Sequence, residues 1–223
     1  NRDYLMTMHG MFWKFPETFS ASNSKGIRPR SAYLKVIGDF TRWNDRLVFG
    51  CDDSALREFL NKRKEKGNIE GPGQSNSNLW FTDVTQPDKL GPTTAEGAVW
   101  LNEKIDSYTA SEPFLFAGWP MRVCWIHNSG NTAATFTFEV DISGNDNWEP
   151  FHSVTVDNGA SSFVEFPSNA KGEWIRIITD KSVIATAHFS YTGTDKRSEI
   201  PDPVFTGLSF VTENKRYKMS VGA

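Results

Sequence analysis

The chain has 223 residues, 38% of them apolar. That is enough for one large domain or two small ones with a real core, and it excludes a disordered chain. A net charge of -3, from 24 basic and 27 acidic residues, leaves no global positive field, so nucleic acid is not the expected partner. No apolar run approaches the roughly 20 residues of a spanning helix, so no membrane span is expected. The two cysteines, Cys51 and Cys124, are too few for a disulfide scaffold or a thiolate zinc site.

The chain opens at Asn1 without an initiator Met or a charged-then-apolar leader and stops at Met219-Ser-Val-Gly-Ala223. It reads as a piece of a longer chain. Aromatic and β-branched residues recur in short runs broken by Gly, Pro, Asn and Asp, the signature of strands. In the first half, residues 4–15, 33–40, 45–51, 78–82 and 98–101 read as strands whose apolar character is often continuous. Such strands need cover on both faces, as stacked propeller blades provide. One exception interrupts them. Over residues 54–66, Leu56, Phe59 and Leu60 are spaced i, i+3, i+4 behind a Ser54 cap, which predicts a short helix, followed by a loop around Gly71-Pro-Gly73.

The second half alternates cleanly. Residues 114–117, 122–127, 135–142, 148–156, 162–166, 173–179 and 183–191 predict strands at the spacing of a sandwich. In the run beginning Thr135-Phe-Thr-Phe-Glu139, the set Phe136, Phe138, Val140 and Ile142 shares one face. Turn residues at Ser143-Gly-Asn-Asp-Asn147, Asp157-Asn-Gly159 and Asp180-Lys-Ser182 separate the strands. Beyond Tyr191 the chain turns polar, then resumes strand character at 204–211 and 216–221. The expected fold is all-β: a partial, propeller-like region over 1–110, an inserted or appended antiparallel β-sandwich over 111–193, and return strands over 194–223 packing on the first region.

Three stretches carry a resemblance: Tyr4-Leu-Met-Thr-Met-His-Gly-Met-Phe-Trp-Lys-Phe-Pro16, Trp43-Asn-Asp-Arg-Leu-Val-Phe-Gly-Cys-Asp-Asp53, and Asn78-Leu-Trp-Phe-Thr-Asp83 followed by Gly91-Pro92. With Trp174-Ile-Arg-Ile-Ile-Thr-Asp180 and Ala185-Thr-Ala-His-Phe-Ser-Tyr191, they resemble the C-terminal region of large secreted bacterial β-propeller proteins, broadly sialidase-like. The resemblance implies a secreted or periplasmic protein and a polysaccharide or oligosaccharide partner. The aspartate box of sialidases, Ser-x-Asp-x-Gly-x-x-Trp, has only a degenerate echo in Ser143-Gly-Asn-Asp-Asn-Trp148.

Several residues suit glycan chemistry. His9 lies in an aromatic-rich run beside Gly10 and reads as a general base or as a hydrogen-bonded core imidazole. Arg28 and Arg30 flank Pro29; two guanidinium forks on a stiffened backbone can grip a sugar carboxylate, or stand solvated. Asp52 and Asp53 can act as acid and base or hold Ca²⁺ through oxygen, but neighbours on a strand face opposite ways, which favours a turn or a cap for the helix at Ser54. Eight Trp residues suggest stacking on sugar faces, with Trp43 and Trp119, beside turns, as ligand platforms and Trp125 and Trp174 as core. Cys51 and Cys124 read as buried free thiols. No metal site beyond the Ca²⁺ option is expected, and no P-loop, dinucleotide fingerprint or nucleophile elbow is present. The function expected is that of a glycoside hydrolase or polysaccharide lyase acting on acidic polysaccharide, with catalysis assigned to His9, Arg28 and Arg30. The alternative is a non-catalytic carbohydrate-binding sandwich or a structural accessory domain.

Overall fold

The computed structural model describes residues 3–33, 36–52 and 77–195. The helix expected over 54–66, the return strands at 204–211 and 216–221, and Asp53 lie outside the described residues. Within them the chain is all-β, with four antiparallel sheets and a single 3-10 turn at Gln86–Asp88. It divides into two units: one built from the residues up to Tyr33 and from Asp83 to Asp195, the other containing a smaller sheet from the residues between.

The first unit begins with a three-stranded meander, β1 (Asp3–Met8), β2 (Met11–Pro16) and β3 (Arg28–Ala32). The run expected as one strand over 4–15 is instead a hairpin. His9 and Gly10 have φ of 51° and 71°, the type I′ geometry whose twist matches that of the paired strands, and Met8 pairs with Met11. The smaller unit contains a second meander, β4 (Val36–Trp43), β5 (Arg46–Asp52) and β6 (Ser77–Thr82). Its tight turn at Asn44 and Asp45 is also left-handed at both positions. Its buried Phe49 packs between Phe40 and Trp80, at 5.8 and 5.2 Å between ring centres. Each meander has three strands where a propeller blade has four, and no ring of blades closes among the described residues.

The remaining eight strands are β7 (Thr94–Ile105), β8 (Phe114–Leu115), β9 (Met121–Asn128), β10 (Ala134–Asp141), β11 (Trp148–Val156), β12 (Ser161–Phe166), β13 (Trp174–Thr179) and β14 (Val183–Thr192). They form two sheets of order β11-β10-β13-β8 and β12-β9-β14-β7. The antiparallel pairs nest: β7 with β14, β8 with β13, β9 with β12, β10 with β11. One long hairpin rolled over on itself gives this order, which is that of a jelly roll. The sandwich therefore starts at Thr94, not at residue 111, because β7 pairs along β14 from Thr94↔Thr192 to Ile105↔Val183. Its interior is aromatic. Phe116, Phe136, Phe138, Phe166, Phe189 and Tyr191 are all buried and meet mostly edge to face, as in Phe138–Phe166 at 5.1 Å and 81°. Of the set expected on one face of β10, Phe136, Phe138 and Val140 are core, while Ile142 falls beyond the strand and is exposed. Buried Asp141 ends β10 by accepting the backbone N–H groups of Ser143, Gly144 and Asp146.

The meander of β1 to β3 shares this core. Met11, Trp13 and Ile27 join the sandwich cluster, and Trp13 meets Trp119 edge-on at 6.0 Å. The joint is polar as well. Glu173, 4% exposed, receives Arg28 Nη1 at 2.6 Å, Arg28 Nη2 at 2.8 Å and the Gly26 N–H at 3.0 Å. Ser24 donates its N–H to the Gly144 carbonyl and accepts from Trp174 Nε1. Two glycines make room. A Cβ on Gly118 (φ 102°) would stand 2.5 Å from Pro29 Cδ, and one on Gly144 (φ 66°) would stand 2.5 Å from Lys25 N.

Burial alone would raise the Glu173 carboxyl, but the Arg28 fork, the Gly26 N–H and the charges of Arg28 and Lys25 together hold it below the usual carboxylate range. A depressed folded value stabilises above the unfolded carboxyl value, about 4.3, and that contribution is lost as pH falls through the folded value. Removing Arg28 leaves burial dominant and reverses the sign. Arg28→Ala is expected to cost about 2–3 kcal/mol at pH 7 in urea unfolding. Between pH 7 and about 5 its melting temperature should rise on acidification, as Glu173 takes up a proton, whereas that of the wild type should stay level and fall only below about 4.3. Parallel melting curves for the two proteins would refute the assignment. Gly118→Ala is expected to destabilise by at least about 2 kcal/mol through left-handed strain and the clash with Pro29.

Candidate functional site

The residues expected to act on a glycan are mostly engaged elsewhere. Arg28 is tied to Glu173. Arg30 makes a second bidentate pair, with Nε and Nη2 each 2.8 Å from an oxygen of Asp88. Both forks grip a carboxylate, but the carboxylates belong to the chain. His9 occupies the exposed tip of the β1–β2 hairpin. It lies past Met11, whereas Arg28 opposes Lys14, so strand geometry separates them by roughly 10 Å or more. His9, Arg28 and Arg30 form no common pocket. Trp43 is 57% exposed at the end of β4 in the smaller sheet, edge-on to Phe81 at 6.0 Å. Asp52 closes β5, its backbone paired with Val36 and Ser77.

Trp119 and Trp125 show the reverse of the burial expected of them. Trp119, beside its turn, is 3% exposed, its ring enclosed by Trp13 and Tyr191. Trp125 is 41% exposed on the outer face of the β12-β9-β14-β7 sheet. The reason is parity. In β9, Arg122, Cys124, Ile126 and Asn128 are buried, which turns Met121, Val123, Trp125 and His127 outward. Trp174 does pack on the core, as expected, and Cys51 and Cys124 are buried thiols outside any disulfide; burial pushes the Cys124 thiol far up.

That outer face has an ordered surface. Phe163 of β12 lies opposite Trp125 of β9, which lies opposite His188 of β14, which lies opposite Ala98 of β7. The row crosses all four strands, roughly 14 Å at ordinary strand spacing. Phe163 is 64% exposed. The next row is Ser161, His127 and Thr186. The His127 ring lies parallel to Trp125, at 3° and 5.8 Å between centres, and its Nδ1 is 3.0 Å from Ser161 Oγ. On the other side Glu165, Val123, Ser190 and Glu96 make a third row. The face thus presents two aromatic rings and one imidazole in the middle row, a second imidazole with two hydroxyls on one flank and two carboxylates on the other. No arginine shares these rows. Neither backbone nor sequence offers a metal cluster here; among the described residues no group of three or more metal-ligating side chains is found.

The signal for this face was present in the sequence as the alternation Met121, Val123, Trp125, His127. It was obscured because the opposite set contains Arg122 and Asn128, polar residues that look like surface.

No protein-family model matches the chain, and no curated protein matches it. Among solved structures, a crystal structure of PirA aligns at 16% identity over 44% of this chain and 92% of that one, with a TM-score of 0.27. A CBM4 structure aligns at 11% identity over 72% of this chain and 77% of that one, with a TM-score of 0.20. At such scores neither likeness bears weight on fold or function.

Proposed function

We propose that the chain is a non-catalytic glycan-binding protein that holds a neutral polysaccharide on the outer face of the β12-β9-β14-β7 sheet. The observation that carries this reading is the in-register row Phe163, Trp125 and His188, with two large aromatic rings left open to solvent on neighbouring strands. A pyranose ring presents C–H groups on its faces and hydroxyls at its rim, so it is matched by flat rings flanked by groups that exchange hydrogen bonds. Ser161, His127 and Thr186 are such groups along one flank. Charge selects among glycans. The rows hold Glu96 and Glu165 and no arginine, which disfavours uronic or sulfated chains by like-charge repulsion. The acidic polysaccharide expected from Arg28 and Arg30 loses its support, because Glu173 and Asp88 already fill both forks. A hydrolase or lyase reading built on His9, Arg28 and Arg30 loses it for the same reason.

The wider setting remains part of this reading. Polysaccharide binding implies a secreted or periplasmic protein acting as part of a longer chain. The two three-stranded meanders are the portion that reads as blade-like, on the support of their up-and-down strand order. A rival reading, a protein-docking face, draws on exposed Met121 and Ile184 at the margins of the same sheet.

The test is a glycan array and affinity electrophoresis with the whole chain. Binding of neutral polysaccharides is expected. Trp125→Ala should weaken it roughly 30-fold, and Trp43→Ala should leave it unchanged. Met121→Ser should also leave it unchanged, whereas a protein-docking face would lose affinity. Silence across the neutral glycans, or retention only of sulfated or uronic ones, would overturn the proposal.

A further inference from the structure

The rows of the outer face run straight across β12, β9 and β14, but the fourth strand, β7, breaks step. Trp100 pairs with Ala187 and Glu103 with Ala185, so Leu101 and Asn102 together stand opposite Thr186 alone. This is a β-bulge. Asn102 takes a φ of 51°, and its N–H goes to Thr186 Oγ1 at 2.8 Å.

Parity explains why a bulge is present. Trp100 and Ile105 are both buried, yet five positions apart on a plain strand they would face opposite ways. One extra residue turns both inward. Parity does not explain the choice of Leu101, which alternation from Trp100 sets on the outer face. It is 75% exposed, the highest value among the large apolar side chains described. Asn102 beside it is exposed as well. The pair ends the row of Ser161, His127 and Thr186, two strand spacings from β9, or roughly 10 Å. A sugar seated on Trp125 falls short of it, and a neighbouring unit of the same glycan reaches it.

Three kinds of group meet there. Leu101 offers an open apolar surface. The Asn102 carboxamide, which no group pairs with among the described residues, both donates and accepts. Thr186 Oγ1 already accepts the Asn102 N–H, so its O–H remains to be given. A plain hexose, with hydroxyls at its rim, would use the polar groups and leave the leucine wet. A deoxy sugar would bring a methyl without an amide. An acetamido group carries a methyl, a carbonyl acceptor and an N–H donor on one short substituent, and so engages all three. It is also uncharged, which suits a face that holds Glu96 and Glu165. Resting on the glycan reading of this face, we propose that Leu101, Asn102 and Thr186 form a subsite for the N-acetyl group of a 2-acetamido sugar.

Titration calorimetry of the whole chain with chitohexaose and cellohexaose provides the test, since the two oligomers share a linkage and differ only in acetamido against hydroxyl at C2. Chitohexaose is expected to bind about 20-fold more tightly. Leu101→Ser should weaken chitohexaose about fourfold. Asn102→Gly, which keeps the left-handed backbone and removes the carboxamide, should weaken it about fivefold. Both variants should leave cellohexaose unchanged. Equal affinity for the two oligomers, lost for both in Trp125→Ala, would refute the acetamide subsite and leave the glycan reading standing. A preference for chitohexaose that survives both substitutions would refute these residues as its source. Binding of neither oligomer would overturn the subsite together with the reading it rests on.

Discussion

A two-layer sandwich buries one face of each sheet, and because side chains alternate along a strand, choosing the inner set fixes the outer one. Much of this molecule follows from how β9 meets that constraint. Its inner set is Arg122, Cys124, Ile126 and Asn128, an uncommon choice that places a guanidinium and an amide in an aromatic interior. Each polar group is retained for a task. Asn128 donates to the carbonyls of Thr132 and Val156 and accepts the Gly130 N–H, holding the loop that leads into β10. Arg122 gathers four carbonyls from two loops. With those residues inside, Trp125 and His127 have nowhere to go but out, and the aromatic face comes from the same register that buries the arginine.

The second organising feature is the corner at Glu173. A meander of three short strands has little core of its own, so it is stable here only by leaning on the sandwich. Apolar contact through Trp13 and Ile27 supplies area, while the Arg28 fork supplies direction. Both carboxylate oxygens accept hydrogen bonds, the condition under which a buried ion pair holds rather than weakens a structure. Close approach of the two backbones is possible because Gly118 and Gly144 carry no Cβ where Pro29 and Lys25 must pass. The arginine that looked like a sugar grip in isolation is thus the joint between two parts of one unit.

Local features are legible in the sequence and distant contacts are not. The strand limits of β11 and the inward face of β10 were legible, since alternation and turn residues are local. The hairpin at His9 and Gly10 was hidden because apolar residues continue on both sides of the turn, leaving only one glycine to mark it. β7 was read short because Glu96, Gly97 and Asn102 weaken its local strand signal; its extent is set by pairing with β14, far along the chain. The partners of the two arginines were illegible for the same reason. Arg28 and Arg30 find their carboxylates at Glu173 and Asp88, and Trp119 finds its cover at Trp13, contacts that no local window contains. Trp125 faces outward because burial of Arg122 sets the parity of β9 opposite to the one polarity alone suggests.

Nested pairing also brings the two ends of the sandwich together. In the jelly roll the first and last strands are partners, so entry and exit are adjacent: Thr94 opposes Thr192, and the Gly193 N–H reaches the Thr93 carbonyl. The meander is continuous with this unit, its strand end at Ala32 bridged to Gly91 by two backbone hydrogen bonds. The residues up to Tyr33 and those from Asp83 to Asp195 belong to one unit, and the Ala32–Gly91 bridge ties meander to sandwich within it. A closed loop of this kind costs little in chain entropy once its ends are pinned.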